Sequence, residues 1–142
     1  MSIEIRLAAG SDEAHCLTLI EALTGESRTA GWSATFEALL DQGRGEILVA
    51  HEGTALLGVA TVSYNLAIRY AGEYAQLEEL IVDPGARGRN VGGLLVETAV
   101  ERARARGCAE FGLYVLEATE HNRPFYQKYG FEYVGSEMRQ RL

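Results

Sequence analysis

Glu78 and Glu79 stand side by side in the apolar stretch Leu77–Val82, and a loop with four glycines and two arginines, Gly85–Gly93, follows directly. An internal carboxylate with no cation beside it in sequence is costly to bury, and desolvation raises its pKa toward the range of a general base. Side chains alternate along a regular strand, so the pair is predicted to point to opposite faces. The loop offers different chemistry. A glycine-rich turn that opens a helix leaves N–H groups without helical partners at the positive end of the dipole, here beside Arg87 and Arg89. Such an end suits a phosphate or pyrophosphate, although a strand-to-helix turn that binds nothing would read similarly. Glycines at 85, 88, 92 and 93, with no closing lysine, fit neither the G-x-x-x-x-G-K-[ST] nucleotide loop nor the G-x-G-x-x-G dinucleotide fingerprint.

The elements that must position these groups follow from periodicity. Ile3, Ile5 and Leu7 alternate with polar residues and predict a first strand. Ser11 reads as the cap of a helix reaching about Leu23, and Ser33 as the cap of a second from about Ala34 to Gln42, with a polar loop holding Trp32 between them. Glu46–His51 and Ala55 to about Leu66 form a hairpin across Glu52-Gly53, with Thr61 and Ser63 on the side opposite Val62 and Tyr64. Tyr74–Val82 is the strand feeding the loop. Val91 to about Arg106 is the strongest helix, apolar over more than one face and ended by Gly107. Phe111–Leu116 is a strand, Arg123 or Pro124 starts a short helix ended by Gly130, and Phe131–Val134 and Ser136–Arg141 are closing strands. Strands and helices mixed in this order predict a layered α/β sandwich with a mostly antiparallel sheet.

The chain of 142 residues fits one domain, 1–142. A net charge of -7 argues against nucleic acid as a partner and suits a cationic small molecule or basic peptide. No apolar run approaches the roughly 18 residues of a membrane span, and the first ten residues lack signal-peptide character, so a cytoplasmic protein is expected. Cys16, Cys108 and the three histidines are scattered, which predicts free thiols and no metal site.

R-G-R-N-V-G at Arg87–Gly92, behind L-x-V at Leu80 and Val82, is followed by F-Y-x-x-x-G-F at Phe125–Phe131. This pairing resembles the GCN5-related N-acetyltransferase (GNAT) family, whose acetyl-CoA motif is [QR]-x-x-G-x-[GA] between a strand and a helix, with a tyrosine and a Gly-Phe pair later. Element order agrees over nearly the whole chain, while residue matches are dense only from Leu77 to Phe131. Asn90 replaces the first motif glycine, and asparagine is among the few other residues that tolerate positive φ.

The resemblance implies a mixed, mostly antiparallel sheet of six to seven strands flanked by about four helices, and acetyl-CoA as cosubstrate with no metal. Arg87, Gly88, Arg89, Asn90, Val91, Gly92 and Gly93 would hold the CoA pyrophosphate. The backbone of Leu80, Ile81 and Val82 would pair with the pantetheine amides, provided that the strand from Phe111 splays away, and Asn122 would contact the same arm. Glu78 would act as base through a water, Glu79 would help hold the cationic acceptor, and Tyr126 would protonate the departing thiolate. Direct transfer to a primary amine of a small cationic molecule is the leading reading. Acetylation of a protein N-terminus or lysine, and a non-catalytic acetyl-CoA sensor, are the alternatives. The loop from Thr24 to Trp32 and the tyrosines at 64, 70 and 74 would border the acceptor cleft or pack at a dimer contact, and the family also allows a homodimer.

Overall fold

The computed structural model describes residues 2–142. Its five strands are β1 (Glu4–Leu7), β2 (Gly45–Glu52), β3 (Ala55–Ala67), β4 (Gly72–Val82) and β5 (Phe111–Gly112), hydrogen-bonded in that order. The first four are antiparallel and β5 runs parallel to β4. The helices are α1 (Glu13–Thr24), α2 (Ala30–Leu40), α3 (Val91–Arg106) and α4 (Arg123–Lys128).

Strand alternation divides the core in two. Leu48, Ala60, Val62, Tyr64, Ala75 and Leu77 face α3, where Val91, Leu95, Ala99 and Ala103 complete one buried layer. Ile47, Val49 and Val59 face α1 and α2 and pack with Cys16, Leu17, Leu19 and Phe36. An ion pair ties α3 to the sheet: Arg102 donates from Nε to Glu46 at 2.6 Å, with the glutamate buried.

Three expectations change. The second helix starts at Ala30 behind Thr29, because the chain is already turned when the Trp32 N–H reaches Thr29 O at 3.0 Å. Ser33 therefore lies inside it and donates across to Glu13 at 2.9 Å instead of capping. The strand expected over Phe111–Leu116 ends at Gly112, since its ladder with β4 covers only Ala75↔Phe111 and Gln76↔Gly112. No strand forms over 131–142, so the sheet has five strands, not six to seven. Strand formers such as Tyr133 and Val134 need a neighbouring ladder, and a β5 of two residues supplies none. Val134 and Met138 are 95% exposed, while Phe131 packs edge-on against Phe111, ring centroids 5.8 Å apart.

Candidate active site

The anion cradle is local and built from backbone. Asp83 accepts the Gly85 N–H at 2.9 Å, turning the chain out of β4 through Pro84–Ala86. Gly88 has φ 83°, and Asn90 is left-handed at φ 60°, ψ 27°, the conformation that its side chain tolerates. The first helical N–H to find an acceptor is that of Leu94, on Asn90 O at 3.1 Å, so those of Val91, Gly92 and Gly93 stay open at the start of a 16-residue helix.

An asparagine ahead of a helix ordinarily caps it, and would consume one of those donors. Here it does not cap. The Tyr129 hydroxyl donates to Asn90 Oδ1 at 2.9 Å and holds the side chain aside. A Cβ at Gly93 would overlap both groups, and one at Gly92 would lie 3.5 Å from the Phe125 ring, so the second motif is packed on the first. Of the two arginines, Arg89 is bound to Glu52 at 2.5 Å, whereas Arg87 forms no ion pair among the described residues. Open N–H groups, one uncommitted guanidinium and side-chain-free Gly92 and Gly93 together fit a pyrophosphate.

Upstream, β4 keeps its partner on one edge only. Beyond Gln76 nothing pairs its β5 side, which leaves Leu80, Ile81 and Val82 with an open edge able to take an extended amide chain. Asn122 precedes α4 and makes no side-chain cap there.

The glutamates do not point to opposite faces. Thr61 pairs with Glu79 but Val62 pairs with Leu77, so Glu78 is an extra residue in a β-bulge. Leu77 and Leu80 consequently both face α3, and the carboxylates meet Ser63 and Thr61, two hydroxyls on the α1–α2 side. Ser63 donates to Glu78 at 2.6 Å and Thr61 to Glu79 at 2.5 Å. Neither carboxylate has an ion pair among the described residues. Glu78 is exposed. Glu79 is withdrawn into a cavity of about 280 Å³ between α1, α2 and the sheet. Burial pushes its pKa above the usual carboxylate value, the Thr61 hydroxyl opposes that shift, and the charge of Glu78 adds to it.

Tyr126 approaches from the other side, packed against the α3-side core and between Phe125 and Phe131, ring centroids 5.1 and 6.1 Å away. Burial raises its phenol pKa, so Oη keeps its proton through the neutral range. Glu79 thus lies on the α1–α2 side of the sheet and the Tyr126 phenol on the α3 side.

Thr24 of α1 and Trp32 of α2 line the cavity beside Glu79. The tyrosines do not. Tyr64 is buried on the α3 side under Arg106, whose guanidinium carbon sits 3.8 Å from the ring centroid. Tyr70 and Tyr74 pack with their rings tilted by 57°, centroids 5.3 Å apart, and Tyr70 donates to Glu110 at 2.5 Å near β5. Thr61, Ser63 and Tyr129, which contact Glu79, Glu78 and Asn90, are not marked by any sequence motif. Two hydroxyls on one side of an otherwise apolar hairpin were the available signal for the first two, whereas nothing local marks Tyr129. Cys16 is buried, its thiol pushed up to about 12, and both cysteines are free.

The Acetyltransferase (GNAT) family profile matches residues 14–131. Glucosamine 6-phosphate N-acetyltransferase 1 of Oryza sativa subsp. japonica is 33% identical over 102 residues, covering 69% of this chain and 60% of that protein, so the match spans under two thirds of the relative. Glucosamine 6-phosphate N-acetyltransferase of Trypanosoma brucei brucei is 27% identical over 98% of this chain and 95% of its own length. The crystal structure of a Trypanosoma brucei acetyltransferase superposes with TM-score 0.83 at 26% identity, covering 99% of this chain and all of that one. The chain belongs to the Acetyltransferase (GNAT) family, whose chemistry is transfer of an acetyl group from acetyl-CoA to an amine.

Proposed function

We propose that this chain acetylates the primary amine of a small cationic molecule directly from acetyl-CoA, with Glu79 as the group that takes the ammonium proton. The observation that carries this reading is a desolvated carboxylate, Glu79, without an ion-pair partner among the described residues, opening into a cavity beside the unpaired edge of β4.

Bound acetyl-CoA supplies an activated thioester carbonyl. The N–H groups of Gly88 to Gly93 and Arg87 hold its pyrophosphate, Asn122 and the Leu80–Val82 edge guide its arm, and Arg89 acts through Glu52 to stiffen the loop. An alkylamine of pKa near 10.4 is about a thousandfold protonated at pH 7.4 and cannot attack in that form. Glu79 attracts the ammonium and removes its proton, directly or through a water. Its raised pKa narrows the gap to the amine, and desolvation of the ammonium narrows it further. Glu78, exposed beside it, adds negative charge that draws the cation in. Tyr126 Oη donates to the departing sulfur. Because a phenol near 10 is a weaker acid than a thiol near 8.5, full transfer is uphill by roughly 2 kcal/mol, and burial increases that gap. Tyr126 therefore assists as a hydrogen-bond donor, and Tyr126→Phe should lower kcat by no more than about 10²-fold.

The test is thiol release from acetyl-CoA with polyamines, aminoglycosides, amino acids, peptides and glucosamine 6-phosphate, the last being the acceptor in the relatives' names. Release with one or more small amines is expected. Release with peptides alone would move the assignment to protein acetylation, and acetyl-CoA binding without release to any amine would make the chain a sensor.

A further inference from the structure

The cavity at Glu79 has a composition that narrows the acceptor beyond a small cationic amine. Leu17, Ile20, Trp32, Phe36, Leu39 and Ile47 make up half of its lining residues. Its charged residues are Glu79 and the exposed Glu26, and no lysine, arginine or histidine lines it. Of the arginines joined to the segments around α1, Arg6 pairs with Asp12 at 2.7 Å and Arg28 with Glu21 at 2.7 Å. The lining hydroxyls donate elsewhere: Thr24 to Ile20 O at 3.0 Å, Thr35 to Gly31 O at 2.8 Å, and Thr61 to Glu79.

A phosphate or carboxylate entering here would meet negative charge and, among the described lining residues, no cation. A polyhydroxylated body would leave its hydroxyls short of partners, each a desolvation penalty. An apolar body would remove the walls' exposed hydrocarbon from water.

We infer that the acceptor is an amine on an apolar body, an alkyl or arylalkyl amine, seated between α1, α2 and the sheet with its nitrogen at Glu79. The assignment rests on the reading of Glu79 as the group that faces the amine. Trp32 and Phe36 then select the body while Glu79 selects the charge, and anionic amines are rejected by the cavity's own sign.

Two measurements on the full chain test this. The first is kcat/KM for n-alkylamines from propyl to hexyl, with phenethylamine and phosphorylethanolamine alongside. Burial of a methylene stabilises by about 0.8 kcal/mol, so kcat/KM should rise about fourfold per added carbon until the cavity is full. Phosphorylethanolamine should fall at least about 10²-fold below hexylamine. Ile20→Phe should lower the ratio of hexylamine to propylamine by narrowing the cavity. A flat series, or phosphorylethanolamine as the better acceptor, would overturn the apolar body while leaving amine acetylation standing.

The second does not need turnover. Trp32 is the only tryptophan, so its fluorescence reports the cavity. Hexylamine should shift it saturably, hexanol and hexanoate at least tenfold more weakly. If no amine is acetylated yet hexylamine shifts Trp32, the catalytic reading fails and the apolar amine site stands. If hexylamine is acetylated no better than propylamine and leaves Trp32 unchanged, the site assignment is wrong.

Discussion

Two regions along β4, its C-terminal end and its middle, are built by opposite means. At its C-terminal end, the cradle offers open backbone N–H groups from one contiguous stretch, and the side chains around it mostly stay out of the way: Gly92 and Gly93 have none, and Asn90 is held back by Tyr129. In its middle, the cavity presents a carboxylate from a bulge, surrounded by residues from α1, α2, β2 and β3, and is the proposed seat of the cationic amine. A backbone site tolerates little change of shape. A side-chain site tolerates little change of charge, but its walls can be exchanged among apolar residues, and that exchange alters which acceptor fits.

That contrast can be broken by substitution. Glu79→Gln keeps the shape and the Thr61 contact and removes the charge, so kcat/KM for the amine should fall by about 10²- to 10⁴-fold while the Kd for acetyl-CoA, read by calorimetry, stays within twofold. Equal loss in both would mean that the two regions are not separable. Gly93→Ala keeps the charge and changes the shape. Its Cβ would overlap Tyr129 and Asn90, so acetyl-CoA affinity should drop by about 10- to 100-fold and stability by about 1–3 kcal/mol, read by calorimetry and urea unfolding. Tyr129→Phe frees Asn90 to cap the helix. Its KM for acetyl-CoA should rise within about tenfold with kcat little changed, the scale of one hydrogen bond, and Asn90→Gly in the same chain should restore it. Failure of that rescue would show that Tyr129 acts by packing alone.

The smallest effect concerns stability. A carboxylate whose folded pKa is raised binds its proton more tightly when folded than when unfolded, so folding is weakened as pH rises from the unfolded value through the folded one. Glutamine carries no such loss. Glu79→Gln should therefore melt above wild type at pH 8, with the gap closing by pH 3, read by thermal unfolding at the two pH values. A variant that gains stability while losing activity would mark Glu79 as a group kept for chemistry.

The same contrast explains what the sequence makes legible. The cradle is readable because its causes lie within a few residues: glycine positions, a residue tolerant of positive φ at 90, and a long amphipathic helix starting at Val91. Tyr129 is the exception, joined to Asn90 across 39 positions. The cavity is poorly readable because its causes are non-local. Simple alternation put Glu78 and Glu79 on opposite faces; the bulge, visible only in the pairing of β3 with β4, puts them on one. Ser33 looks like a cap until α1 supplies Glu13 as its partner. The closing strands over Phe131–Val134 and Ser136–Arg141 fail for the same reason, since strand-forming residues are local and the ladder they need is not.

The central claim, that Glu79 takes the proton from the amine, is tested most directly by the pH dependence of kcat/KM for hexylamine in wild type and Glu79→Gln, with acetyl-CoA saturating. Wild type should show an acid limb with an apparent pKa above the ordinary glutamate value, absent from the variant, whose residual rate simply follows the free-amine fraction. Profiles of the same shape and height in both proteins, each tracking the amine's own pKa, would contradict it.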